Sequence, residues 1–238
     1  MSVASRAPKF DPSEACLDPT MNELLAWLAT LATIAVLLAY EAVLTVAQQR
    51  WPERMARSAH AALREDWFIA VSQQKGSEIL AVQTLRNSLM SATMTASTAM
   101  LGLIGTVTLA APSLHASFGE VAMLPSVTPR LVLELLLLAL LFASLVCSAM
   151  AVRYYNHVGF ISGMPVESEA RRRWAEAGTT YVRRAGVLYS WGLRHLILVA
   201  PILACLLHPI AGPIAAVLVV VVLSRFDRIA VSGSPEAN

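Results

Sequence analysis

Charge is what this sequence lacks most. Aspartate, glutamate, lysine and arginine make up 14% of its 238 residues, where a soluble domain carries about a quarter. That shortfall excludes an ordinary water-soluble globule. The net charge of +2 is too small to point to nucleic acid. Cysteine is equally sparse. Cys16, Cys147 and Cys205 form no even, closely spaced set, which excludes a disulfide framework. Cys147 and Cys205 lie inside apolar runs, where a thiol acts as a small hydrophobe. The histidines (His60, His115, His157, His195, His208) never fall three or four residues apart, so no local metal-ligand pair is expected. No G-x-x-x-x-G-K-[ST] and no G-x-S-x-G occurs, which removes the signatures of a phosphate-binding loop and a nucleophile elbow. No catalytic residue, cofactor or metal is expected.

Apolar residues fill the space that charge leaves. They are 56% of the chain, with mean hydropathy +0.59, the balance of an integral membrane protein. Crossing a ~30 Å hydrocarbon core takes about 20 predominantly apolar residues. Spans are expected at 24–46, 89–111, 131–152, 188–207 and 210–225, the last two separated by a turn at "PIAGP". The first twenty residues, "MSVASRAPKFDPSEACLDPT", have no apolar run behind their charges. They read as a polar tail reaching to 22 rather than a signal segment, and 229–238 as a second tail.

The basic residues orient the bundle. Fifteen of the 18 arginines and lysines fall in 47–88, in 153–194 or at Arg225 and Arg228, and only Arg6, Lys9 and Arg130 lie on the other side. Positive charge collects on the cytoplasmic side. That places the N-terminus outside and the C-terminus inside a bacterial-type inner membrane, with an odd number of spans, five. Within the cytoplasmic segments 47–88 and 153–187, residues 56–74 and 167–190 interleave Trp67, Phe68, Val71, Trp174, Tyr181, Val182 and Leu188 with arginines. Amphipathic helices of this kind lie against anionic headgroups, or dock a partner.

One stretch calls for a physical reason: "AVQTLRNSLMSATMTAST" (81–98) leads directly into an apolar run. Wound at 100° per residue, Gln83, Thr84, Asn87, Ser88, Ser91, Thr95, Thr98, Gly102, Gly105 and Thr106 fall within about 140° of one another. Such a stripe is either a helix–helix seam of small and hydroxylated residues or the lining of a passage. Asn87 is its leading residue, because a buried amide loses most without a partner. On the third span Glu134, Ser144, Ser148 and Tyr155 share one side. Tyr155, Asn156 and His157 are expected at its cytoplasmic end, and Glu134 in its first turn as an interfacial cap. Glu41 and His195 are the weaker candidates, Glu41 because an ionisable group inside a span is a functional candidate by default. His157 paired with His195 across the bundle is the one conceivable haem or metal site.

The block "ILAVQTLRNSLMSATMTAST" (79–98), "YNH" (155–157) followed by Phe160, and "YVRRAGVLYSWGLR" (181–194) resemble the domain of unknown function 599 family. These are multi-pass membrane proteins with about four spans. The resemblance therefore implies four crossings where charge and hydropathy give five, and it carries no catalytic residues. The chain is expected to be an all-α polytopic bundle. Its leading role is a small oligomeric channel or transporter for an ion or solute, lined by the second span. The alternative is an accessory or scaffold subunit of a larger membrane complex. Expected partners are the lipid bilayer with its anionic headgroups and further copies or membrane subunits.

Overall fold

The computed structural model describes residues 19–51, 55–118 and 127–227. The elements among them are six helices: α1 (Pro19–Arg50), α2 (Ala56–Gln73), α3 (Glu78–Phe118), α4 (Pro129–Ser162), α5 (Glu169–Leu207) and α6 (Ala211–Phe226). Cys16, Arg6, Lys9, Arg54, Arg228 and nearly all of both expected tails lie outside the described residues.

Helices α1, α3, α4 and α5 are each long and apolar enough to cross a membrane. The fold is an all-α bundle, and the protein is a multi-pass membrane protein. The count of four agrees with the family resemblance. The fifth crossing expected at 210–225 corresponds to α6, whose 16 residues reach only about 24 Å, short of a ~30 Å core. It runs back along the second half of α5, from Gly212 against Cys205 to Asp227 against Arg194.

All four long helices exceed a ~30 Å core, α1 with 32 residues at about 48 Å and the others by more. α3, α4 and α5 have 41, 34 and 39 residues, about 62, 51 and 59 Å. The boundaries expected at 88/89, 152/153 and 187/188 therefore fall inside continuous helices. The excess lengths pack on one another, so the polar ends have no reason to unwind. The true breaks carry their own chemistry. Gly76 turns the chain between α2 and α3 with φ +87°, a conformation open to glycine at no steric cost. Thr128 caps α4 by accepting from the Leu131 N–H at 3.2 Å, and Ser168 caps α5 by accepting from the Arg171 N–H at 3.2 Å. Glu134 is thus not the cap of α4. It sits a turn deeper, buried, and accepts from Arg130 Nε at 2.8 Å.

Two cores stack along α4 and α5. The first gathers Leu37 of α1, Leu137 and Leu141 of α4, Leu198 and Ile202 of α5 and Ala216 of α6. The second gathers Phe68 of α2, Leu85 and Ala92 of α3, Ala151, Tyr155 and Val158 of α4, and Val182 and Ala185 of α5. At their junction Gly192 faces Ser144 and Ser148 so closely that a methyl would overlap the Ser148 hydroxyl. Ser144 Oγ donates to the Gly192 carbonyl at 2.7 Å, a small-residue contact of the kind that joins helices in lipid.

The second core changes the reading of the basic segments. Residues 169–190 are the first half of α5, not a separate interfacial helix. The apolar side of α2 lies on α5, with the Phe68 ring against Gly178, where a methyl would strike the ring. Burying such a side chain contributes about 1.5–3 kcal/mol. Glu65 pairs with Arg183 at 3.2 Å along the same seam. Of the face expected to meet headgroups, Phe68 and Val182 are buried in protein, while Trp174 is exposed.

Candidate functional site

The most concentrated chemistry in the fold is at the C-terminal end of α6. Tyr40 and Glu41 project from α1, Arg194 from α5, and Asp227 caps α6. The Arg194 side chain is buried, at 7% exposure. Its Nε donates to Glu41 Oε1 at 2.8 Å and its Nη2 to Asp227 Oδ2 at 2.7 Å. It also donates to the Tyr40 hydroxyl, which in turn donates to Asp227. The Asp227 backbone carbonyl accepts from Ala56 N at 3.0 Å, so the same cluster fixes where α2 begins. A buried guanidinium is tolerated only when paired and hydrogen-bonded, and here both conditions hold.

An aromatic and cationic wall continues from the cluster. His195 stacks on Trp191 at 5.6 Å, and the Arg57 guanidinium lies 4.2 Å from the Trp191 ring centroid, within cation–π range. Arg57 Nη1 donates to Gln48 Oε1 at 2.8 Å. Beyond it an open cleft of about 990 Å³ runs between α2 and α5, lined among others by Arg57, Glu65, Tyr154, Arg183, Arg184 and Trp191. Three guanidiniums face one carboxylate, so the cleft is electropositive. Burial, followed by the charge of Arg194, pushes Arg57 below its ordinary pKa. An anion in the cleft would offset both by favouring the charged guanidinium.

The polar stripe of α3 divides. Thr95 and Thr106 are buried and Ser88 and Gly102 partly so, on the side held by α4. Gln83, Thr84, Asn87, Ser91, Thr98 and Gly105 are exposed. Its hydroxyls are satisfied within the helix. Thr84, Ser91, Thr95, Thr98 and Thr106 donate to the carbonyls of Leu80, Asn87, Ser91, Met94 and Gly102 at 2.8–3.1 Å. The two amides, Gln83 and Asn87, sit in the first three turns of α3, beside the second core. Within one chain the stripe closes no passage.

Tyr155, Asn156 and His157 are not the end of the helix, because α4 continues past them to Ser162. Tyr155 enters the second core. Asn156 lines a cleft with Arg86, between α3 and α4, and Tyr155 lines it too. His157 rests on Tyr181 at 5.9 Å. His195 rests on Trp191, ten residues further along α5, about 15 Å away along the axis, so the two histidines do not meet. Among the described residues no group of three or more histidine, cysteine or acidic side chains could hold a metal.

The model of the family described as "Protein of unknown function, DUF599" matches residues 28–231. The chain belongs to the DUF599 family. No curated protein and no solved structure matches it significantly. The matched region holds every helix contributing to the cluster, from Tyr40 to Asp227.

In this DUF599 protein, sequence reasoning reached Glu41 and His195 singly and missed what joins them. Arg194 counted only as a topological charge, and Tyr40 and Asp227 went unremarked. A signal was present: "GLRHLILVAPILACLL" (192–207) sets one arginine at the head of an apolar run. A charge there needs an acid from another helix, and Glu41 and Asp227 each adjoin such a run.

Proposed function

We propose that this DUF599 protein is a transporter of a small anionic solute in a bacterial-type inner membrane. The cleft between α2 and α5 is its cytoplasmic vestibule, and the Arg194 cluster is the floor. The supporting observation is a buried arginine, balanced by carboxylates from two other helices, about one turn along α5 from Trp191, which lines an arginine- and aromatic-lined cleft. Ionisable groups in spans mark solute and ion pathways. In the proposed orientation the N-terminus is outside and the C-terminus inside. The second core, with its basic residues, lies in the cytoplasm, and α6 returns from the outer side to the depth of Arg194. Arg194 lies thirteen residues before the end of α5 at Leu207, about 20 Å. That depth is the inner third of a ~30 Å core. Gln83, Asn87 and Ser91 are then polar because they are cytoplasmic.

A second reading has its own support. α3 is held along one side by α4, and it leaves Thr98 and Gly105 exposed, small residues that admit a close helix neighbour. In that reading the protein is an accessory subunit, or a homo-oligomer, assembled through α3.

Trp191 lines the cleft and offers a direct test. Titrating the purified protein with small carboxylates, phosphate esters and sulfonates should change tryptophan emission saturably for at least one class. The change should be lost in Trp191→Phe and weakened in Arg183→Gln. Flat titrations across all classes would reject the vestibule and leave the accessory reading.

A further inference from the structure

The seam between α2 and α5 continues past the vestibule to a second, smaller cavity of about 220 Å³, lined among others by Phe68, Ser72, Gln73, Arg171, Arg172 and Thr179. Arg171 is only 2% exposed. Its Nη1 is committed, donating to the carbonyls of Ser162 at 2.9 Å and Met164 at 2.6 Å, which ties the end of α4 to the start of α5. Its Nε and Nη2 are buried and have no hydrogen-bond partner, and the same is true of Ser72 Oγ across the cavity. An unmet guanidinium edge in the interior is costly. The Nε–Nη2 edge is also one that receives a carboxylate or phosphate through two parallel bonds.

The charge balance points the same way. Arg172 adds a second cation, and the described residues lining the cavity include no carboxylate. The acid whose charge acts on Arg171 is Glu78, whose Oε1 accepts from the Val166 N–H at 3.4 Å. The first turn of α5 favours negative charge at this end.

We infer that this cavity binds a small oxyanion, a phosphate or phosphate-sized group, held in the Nε–Nη2 fork of Arg171 and by Ser72 Oγ. The volume is below the roughly 300–1,000 Å³ of pockets for drug-sized ligands, so it takes the anionic group and not a large attached molecule. Arg171 precedes Arg194 by 23 positions on one straight run of α5, about 35 Å. In the proposed orientation that distance puts the cavity well into the cytoplasm, and the anion comes from solution, not from a lipid headgroup. Binding rests on the cavity and holds whether or not the protein transports, while the source of the anion rests on the proposed orientation.

The test is binding of inorganic phosphate to the full-length protein in neutral-lipid nanodiscs, by isothermal titration and by thermal shift. The wild type should bind one phosphate per chain and melt higher as phosphate rises. Arg171→Lys keeps a donor for the two carbonyls but loses the fork, and should weaken phosphate at least tenfold with its phosphate-free melting unchanged. Ser72→Ala should weaken it several-fold, and Arg153→Gln, an exposed arginine of α4 that lines neither cavity, should leave it unchanged. The inference is overturned if the wild type binds no phosphate. It is overturned equally if Arg171→Lys and Ser72→Ala bind as well as the wild type, if Arg153→Gln abolishes binding, or if only nanodiscs containing phosphatidic acid give the shift.

Discussion

Replacing Arg194 with methionine removes the cation that two carboxylates were built around. Methionine fills much of the same volume, so the change isolates charge from packing. Glu41 and Asp227 then face each other with 25% and 23% of their side chains exposed and only Tyr40 between them. Breaking a buried ion pair by removing one partner costs about 3–5 kcal/mol, because the remaining charge is left uncompensated. At about 2–4 °C per kcal/mol for a chain of this size, unfolding in detergent should shift down by roughly 6–20 °C. The shift is read as an apparent midpoint at one fixed scan rate, since unfolding of such a protein is a kinetic measurement. The decisive comparison is the triple variant Arg194→Met, Glu41→Gln, Asp227→Asn. It removes all three charges and should recover more than half of the loss. Arg194→Lys should fall between, because an ammonium restores charge without the fork. If Arg194→Met melts within about 2 °C of the wild type, the cluster does not hold α1, α5 and α6 together. If the triple variant is worse than the single one, the loss comes from packing and the electrostatic reasoning is wrong.

Phe68→Ala should cost about 3–5 kcal/mol, and hydrogen exchange should rise along 56–73 while α4 keeps its protection. Gly192→Val drives a side chain into Ser148, with the Ser144 carbonyl 3.2 Å from the added carbon. Overpacking of about 1–3 kcal/mol or more is expected, visible as a lowered melting point and loss of monodisperse protein. Asn87→Cys should react with a membrane-impermeant maleimide applied from the cytoplasmic side, and Thr98→Cys should not react from either side. Labelling of Thr98→Cys from water would restore the reading of α3 as a lining. Asn87→Leu should leave melting within about 0.5 kcal/mol, the usual range for surface substitutions.

The membrane helices were legible because hydropathy is additive along the chain: a run of leucine, alanine and valine needs no partner to be recognised. The ends of those helices were not. Residues 153–162 and 169–190 look like loop and interfacial helix because they carry Arg153, Arg171, Arg172 and Arg173. Their helical state depends on what they pack against, namely Phe68, Val158 and Val182 in the second core. The stripe on α3 was legible as a stripe, but its meaning was not. A serine or threonine that donates to the carbonyl four residues back is satisfied by its own helix. No sequence pattern separates that from a hydroxyl awaiting a partner. The ion cluster was hidden for a different reason. Glu41 and Arg194 are 153 residues apart, and only the antiparallel return of α6 adds Asp227. Arg171 was hidden likewise, as one arginine in a run of three that reads as a solvated charge patch.

The most direct test of the transport reading is flux. The protein would be reconstituted into sealed proteoliposomes on a solid-supported membrane, and each small anion class would be jumped in concentration across it. Transport predicts a saturable current for at least one class that falls at least tenfold in Arg57→Gln and in Arg194→Met. No current for any class, from protein that still melts cooperatively after reconstitution, would contradict it and leave the accessory subunit assembled through α3.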